Sequence, residues 1–130
     1  MAIRVRPEST VPIYEQIADQ IVFAVATGDL APGDFVPSVR DLSVQLTINP
    51  NTAVRAYQEL EHLGVLTPLR GRGMCVADEA PRRCRERRRE FIRTLANETV
   101  REAASAGLTL DELQQLMATA WAAAAKASKD

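Results

Sequence analysis

Apolar residues recur at helical spacing in five stretches of the chain, which predicts five helices. In the first stretch, VPIYEQIADQIVFAVATG, Pro12 stands where a first helical position is expected and Gly28 where the chain leaves the helix. Phe23 falls off the apolar stripe, so a second surface of this helix is expected to be covered by a partner subunit. The predicted buried stripe consists of Tyr14, Ile17, Ile21, Ala24 and Val25.

The stretch PSVRDLSVQLT predicts a short second helix. Ser38 is its expected cap, and Asp41 is placed to complete an imperfect capping box. Arg40 lies in the first turn and points away from the apolar side, although the positive end of a helix does not favour an arginine. A negative group outside the protein would explain that position.

The stretch NPNTAVRAYQELEHLG predicts a third helix, with Asn49 as its cap and Pro50 as its first residue. At about 100° per residue, two opposite faces form. The apolar face holds Ala53, Ala56, Tyr57 and Leu60, and the polar face holds Asn51, Arg55, Gln58 and His62. The first turn is therefore polar and free to meet a ligand.

Gly64 ends the third helix, and VLTPLRGRGMCVAD then predicts a small β-hairpin. Arg70 and Arg72 lie at its tip, where Gly71 and Gly73 allow a close approach to another surface. A basic tip of this kind favours contact with phosphates, and the alternative is a mobile exposed turn.

From Pro81 the pattern predicts a long helix that ends at Gly107, and Thr109 with Glu112 forms a capping box for one more helix. Such a helical hairpin buries little by itself, so a second copy of the chain is expected to cover its apolar residues. The predicted dimerisation residues are Phe91, Ile92, Leu95, Thr99, Leu113, Leu116, Met117 and Trp121.

A chain of 130 residues with 46% apolar content fits one domain and an appendage. We expect one compact domain over residues 1–78 and a two-helix dimerisation tail over residues 79–130. This length leaves no room for a ligand-sensing domain of the usual ~100 residues. No apolar run approaches the ~18 residues of a membrane span, and no secretory signal is present, so a cytoplasmic protein without membrane contact is expected.

The net charge of −1 does not indicate nucleic-acid binding, so that case depends on where individual arginines lie. Six arginines fall between Arg82 and Arg89, a run that usually forms a solvated helix face. Attraction to DNA and pairing with acids of another subunit are the open alternatives for this run.

Cys75, Cys84 and His62 are too few and too widely spaced for a zinc site. We expect two free thiols, although the arginines beside Cys84 could lower its pKa and make it redox-active. There is also no nucleophile–base pair and no phosphate-binding loop, so neither an enzyme nor a cofactor is expected.

Three helices followed by a hairpin give a mainly α fold with a small β-hairpin, in the order of a winged helix-turn-helix domain. An exposed first turn with small polar groups and an arginine suits the major groove of DNA. The alternative is a winged module that binds protein through the hairpin and the surface around Phe23.

Four motifs in this order, VPIYEQIADQI, GDFVPSVRDLSVQL, INPNTAVRAYQELEHLGVL and RGRGMCV, resemble the GntR family of bacterial transcription regulators. The NPNT-x-x-RAYQELE version and the short tail resemble its YtrA subfamily. The resemblance implies a homodimeric repressor of a two-fold symmetric operator, controlling an adjacent transporter operon. A small-molecule effector is not identified; in so short a chain it would bind between subunits or domains.

The resemblance places DNA contacts on Arg40, Asn49, Asn51, Thr52, Arg70 and Gly71. Better-known family members carry arginines where this chain has Pro50 and Val54, so Arg55 is our substitute candidate for base reading. Ser38, beside Arg40, and Arg72 complete the candidate set. The competing structural roles are ion pairs of Arg40 with Asp34 or Asp41, and of Arg55 with Glu59.

Overall fold

A computed structural model describes residues 2–129, which form five α-helices and one antiparallel β-hairpin. The predicted fold class, mainly helical with a small two-stranded sheet, is confirmed. The elements are α1 (Ile13–Thr27), α2 (Val39–Leu46), α3 (Pro50–His62), β1 (Leu66–Leu69), β2 (Gly73–Val76), α4 (Ala80–Ser105) and α5 (Leu110–Lys129).

The chain divides into two compact units, one ending at Arg89 and one starting at Glu90. The sequence places the domain boundary earlier, between residues 78 and 79. The difference arises because Ala80 and Cys84, in the first turns of α4, are fully buried in the core of the first unit. α4 therefore begins in the winged unit and ends in the second one.

α1 forms where the proline and glycine signals predict it, with a shift of one residue at its start. Pro12 is the cap and not the first helical residue, and its carbonyl accepts hydrogen bonds from the backbone N–H groups of Glu15 and Gln16. Gly28 ends the helix at a φ of 89°, a left-handed conformation that glycine adopts without strain. Ile17 and Ile21 of the predicted stripe are completely buried.

α2 and α3 pack against each other, and α3 also packs against α1. All four residues of the predicted apolar face of α3 are buried. The Tyr57 hydroxyl donates a 2.6 Å hydrogen bond to the Pro37 carbonyl, which ties α3 to the segment just before α2. Burial also raises the pKa of Tyr57, so this hydroxyl stays protonated and remains a donor.

The hairpin pairs Leu66 with Val76 and Leu69 with Gly73, and its inward residues Leu66 and Val76 join the core. Phe35 forms a single antiparallel bridge to Cys75 and lies beside the sheet. Gly64, between α3 and β1, has a φ of 77°, and a Cβ there would lie 3.0 Å from Arg83 Nη1. The left-handed backbone conformation favours glycine at this position, and a larger residue would also have to displace the Arg83 side chain.

An extended segment before α1 is tied to that helix by two glutamines. Gln20 bonds the backbone N–H and carbonyl of Arg4, and Gln16 does the same for Arg6. The apolar side chains of this segment, Ile3 and Val5, pack against the core. The sequence pattern gives no helix or strand here, and the glutamine contacts fix it without either.

In the second unit, Gly107 takes a φ of 83° between α4 and α5. The predicted capping box is confirmed: Thr109 N–H donates to Glu112 Oε1, and Glu112 N–H donates to Thr109 Oγ1. The apolar side chains remain largely uncovered, with exposed fractions of 55% for Ile92, 58% for Leu116 and 79% for Trp121. These two helices do not bury their own apolar surface.

Replacement of Tyr57 by phenylalanine is expected to lower the free energy of unfolding by about 1 kcal/mol, because the Pro37 carbonyl loses its donor. Tyr14→Phe is the matched control, since the Tyr14 hydroxyl makes only an exposed bond to Glu15 and its loss should cost less than about 0.5 kcal/mol. Urea denaturation curves of both variants measure the difference, and equal losses would contradict this role of Tyr57.

Candidate nucleic-acid interface

The start of α3 is held by its own cap. Asn49 has an extended backbone, and its Oδ1 accepts a 2.8 Å hydrogen bond from the Asn51 N–H. Pro50 occupies the first helical position, as predicted. Asn49 and Asn51 are exposed and Thr52 is partly exposed, so the first turn presents polar groups to solvent.

The polar face of α3 is exposed along its length, as the helical periodicity predicts. Asn51, Arg55, Gln58 and His62 all lie on it. The structure gives Arg55 a partner that sequence reasoning missed: its guanidinium carbon lies 3.9 Å from the centre of the Tyr14 ring. Within residues 2–129, no ion pair joins Arg55 to Glu59. The only sequence signal for this contact was an aromatic residue at the start of α1.

At the start of α2, Ser38 Oγ accepts a 3.0 Å hydrogen bond from the Asp41 N–H, which confirms it as the cap. Arg40 is exposed beside it. Asp34 accepts a hydrogen bond from the Ala31 N–H instead of pairing with Arg40. Among the described residues, Asp41 forms no ion pair with Arg40 either, which leaves that cation available to a ligand.

The tip of the wing consists of Arg70, Gly71 and Arg72, all exposed. Gly71 has a φ of 74°, and the Arg72 N–H donates a 2.8 Å hydrogen bond to the Leu69 carbonyl. The turn is therefore ordered by its backbone and needs glycine for its conformation. α2, which carries Arg40, packs against α3, and so does β1, which leads to the wing tip. Arg40, the wing tip and the start of α3 therefore belong to the same compact unit.

The arginine run on α4 is more structured than a simple solvated face. Arg82 pairs with Glu79 and Glu86, and these hydrogen bonds and charges raise its pKa. The Arg88 guanidinium carbon lies 5.0 Å from the centre of the Phe23 ring and so covers part of the exposed aromatic surface of α1.

Asp19 of α1 faces the same run of arginines. Burial and the neighbouring Glu15 raise its pKa, while Arg87 and Arg88 act in the opposite direction. Arg87 and Arg88 thus interact electrostatically with an acid of the winged unit itself.

The net shift of the Cys84 pKa is upward, opposite to the one that the flanking arginines alone would produce. The side chain is fully buried, and this burial raises the pKa of the thiol to about 11, although Arg87 and Arg85 oppose the shift. Cys75 is also buried, and both cysteines are free thiols. Desolvation outweighs the arginines because a charged sulfur in an apolar core loses its hydration.

In the part of the chain that the structure describes, no three His, Cys, Asp or Glu side chains are grouped closely enough to hold a metal ion. Nor does any helix of the described residues combine the length and apolar character of a membrane span. The candidate binding features are therefore the exposed first turn of α3 and the exposed arginines Arg40, Arg70 and Arg72.

A three-helix unit with a polar, exposed third-helix start and a basic two-stranded wing defines the class of winged helix-turn-helix DNA-binding proteins. Residues 13–76 match the family described as bacterial regulatory proteins, gntR family. The chain is 37% identical over 113 residues to the HTH-type transcriptional repressor YtrA of Bacillus subtilis, covering 87% of each chain. The protein belongs to the GntR family, and it is a DNA-binding transcriptional regulator and not an enzyme.

Solved structures agree with this assignment. A transcriptional regulator from Oenococcus oeni has a TM-score of 0.77 at 26% identity, over 90% of this chain and 97% of that one. AraR(DBD) in complex with operator ORX1 has a TM-score of 0.51 at 27% identity, over 56% of this chain and 90% of that one. The second similarity concerns a protein that was solved on its operator.

The buried thiols yield a direct test. With a pKa of about 11 for Cys84, only about one thiol in 1,000 is ionised at pH 8, and the folded core blocks reagents as well. Iodoacetamide should leave Cys84 unlabelled in the native protein and label it after denaturation in guanidinium chloride, as read by mass spectrometry. A Cys75→Ser variant isolates this thiol, and rapid labelling of its native form would contradict the buried environment.

Proposed function

We propose that this regulator is a cytoplasmic repressor that binds a palindromic operator as a homodimer and controls an adjacent transporter operon. Two facts support repression and DNA occupancy: the similarity to a relative named as a repressor, and the similarity to AraR(DBD) on its operator.

The observation that carries the proposal is the start of α3. Its cap bond from the Asn51 N–H fixes where the helix begins, while its polar face stays exposed. A helix presented in this way can enter the major groove with its first turn against the base edges. Asn51 and Thr52 are then the nearest groups to the bases.

Capping leaves useful donors on both helices. Asn49 uses Oδ1 for the cap, so its side-chain NH₂ can still donate to DNA. Ser38 uses Oγ as an acceptor, so its hydroxyl proton can still go to a phosphate oxygen. Each cap side chain can therefore accept a hydrogen bond from its own helix and donate another to DNA.

Phosphate contacts surround this helix start. Arg40 at the beginning of α2 has no ion pair within residues 2–129, and Arg70 and Arg72 stand on either side of Gly71 at the wing tip. Such contacts hold the protein in register and supply affinity without reading sequence. The proposed DNA-binding set is Ser38, Arg40, Asn49, Asn51, Thr52, Arg55, Arg70, Gly71 and Arg72.

The homodimer is proposed from the uncovered side chains of α4 and α5. Large apolar groups exposed along both helices need a partner, and a second copy supplies the same surface. Two-fold symmetry then places two copies of α3 about one helical turn of DNA apart, roughly 34 Å. The proposed contact residues are Phe91, Ile92, Leu95, Thr99, Leu113, Leu116, Met117 and Trp121.

Selection of bound duplexes from a random-sequence library tests the whole proposal, because the library contains every candidate operator of the required length. The protein should enrich one motif with two inverted half-sites whose centres are about 10 base pairs apart. Enrichment of a single unsymmetrical site, or of no motif, would contradict the dimeric readout. The selected duplex then serves as the operator in the tests that follow.

Arg40→Ala is expected to weaken binding to the selected operator about tenfold, because a charge-assisted contact to phosphate is lost. The slope of log K against log salt should fall by about 1 per subunit. Lys126→Gln, which removes one positive charge in the second unit, is the matched control. Fluorescence anisotropy at several salt concentrations gives both quantities, and unchanged affinity of the Arg40 variant would exclude the contact.

Leu95→Glu and Trp121→Glu should shift the protein from dimer to monomer at micromolar concentration, because each buries a charge in the proposed interface. Sedimentation velocity measures the shift, and circular dichroism checks that the helices persist. Val44→Glu is the control, since Val44 is 74% exposed on α2 and outside the proposed interface. A dimer of unchanged affinity in both interface variants would place dimerisation elsewhere.

A further inference from the structure

Arg55 and Tyr14 form the closest cation–aromatic contact among the described residues, and it links two helices of the winged unit. The guanidinium carbon lies 3.9 Å from the ring centre, well inside the ~6 Å range of such contacts. Arg55 comes from the exposed face of α3, and Tyr14 from the first turn of α1. The contact therefore fixes a side chain that would otherwise be mobile.

The ring is itself held in place. Tyr14 is partly buried and packs against the hydrophobic core, and its hydroxyl donates a 3.1 Å hydrogen bond to Glu15 Oε1. The guanidinium N–H donors lie in the plane of the group, so a contact with the ring through its central carbon leaves donors available to a ligand.

The direction of Arg55 decides what it can reach. Side chains on a helix lean toward its N-terminus, so Arg55 extends over the turn that contains Asn51. The stacking contact then holds its charged end against α1, at the flank of α3, and not straight outward from the polar face. An arginine that reads guanine must place two donors on one base edge at the floor of the groove.

The flank of a recognition helix meets a different part of DNA. Phosphates line both edges of the groove that a recognition helix enters, so a cation held at the flank of α3, against Tyr14 of α1, faces the sugar–phosphate backbone. A stacked guanidinium is also pre-organised, because less side-chain freedom is lost when it binds.

We propose that Arg55 binds a backbone phosphate of the operator and that Tyr14 is the positioning residue that holds it there. The proposal rests on the proposed DNA-binding function and refines it: Arg55 contributes affinity and register, and base reading falls to the first turn of α3.

The test uses the duplex selected by the wild-type protein and a set of its single base-pair substitutions. Arg55→Gln should weaken binding about tenfold on every duplex of the set, with the same ranking of sequences as the wild type. Its salt slope should fall by about 0.9 per subunit. A loss confined to particular base pairs would overturn the phosphate assignment, as would unchanged affinity.

Tyr14→Leu should weaken binding two- to fivefold, the fold change that corresponds to the free energy of an exposed cation–aromatic contact. Tyr14→Phe keeps the ring and should bind almost as tightly as the wild type. In the Arg55→Gln background, Tyr14→Leu should have no further effect, since the group that it positions is gone. Additive losses in the double variant would overturn the positioning role. Thermal melting of each variant reports folding, and Arg55→Gln keeps the test decisive if Tyr14→Leu unfolds.

Failure of the underlying function has a separate signature. Wild-type protein that binds the selected and random duplexes equally removes the proposed sequence-specific function. If the wild-type protein is specific for the selected duplex but Arg55→Gln binds it with unchanged affinity, only the inference about Arg55 is overturned.

Discussion

The position of the first turn of α3 is the constraint on which the interface depends. One side of this helix is locked in the core through Ala53, Ala56 and Leu60, each with no exposed surface. Its beginning is set by Pro50 and by the cap bond from the Asn51 N–H to Asn49. The rotation of α3 about its axis and the residue at which it begins are thus both fixed within the protein. Its polar face is the side left exposed to a ligand. α1, α2 and β1 all pack on this helix, so their positions relative to its polar face are set by it.

Electrostatics in this protein is local. A net charge of −1 gives no general attraction to a polyanion. Two arginines of the run on α4 have contacts within the protein: Arg82 pairs with Glu79 and Glu86, and Arg88 lies over the ring of Phe23. The cations proposed for phosphate contact are each held by identifiable structure: a helix start for Arg40, a glycine turn for Arg70 and Arg72, and the Tyr14 ring for Arg55. In the proposed homodimer two such sets of contacts act together, and the exposed apolar residues of the second unit support that proposal.

Local signals in the sequence were sufficient for much of this structure. The caps Ser38, Asn49 and Thr109 form the bonds expected of them, and the wing has its predicted turn, because each depends on residues at most a few positions apart. The DNA contacts themselves stay predictions. Contacts between distant residues were missed: the stacking of Arg55 on Tyr14, and the glutamine bonds to the segment before α1. The burial of Cys84 was missed for a related reason, since a run of arginines around it reads as solvated although one residue per turn faces the core.

The most direct measurement of the central claim is a ¹⁵N NMR titration of the protein with its selected operator duplex. The account predicts the largest amide shifts at Asn51 and Thr52, at the wing tip around Gly71 and at the start of α2. The apolar side of α3, represented by Ala56 and Leu60, and the helix α5 should change far less. Shifts concentrated in α5, or spread over the charged surface with none at the first turn of α3, would contradict it.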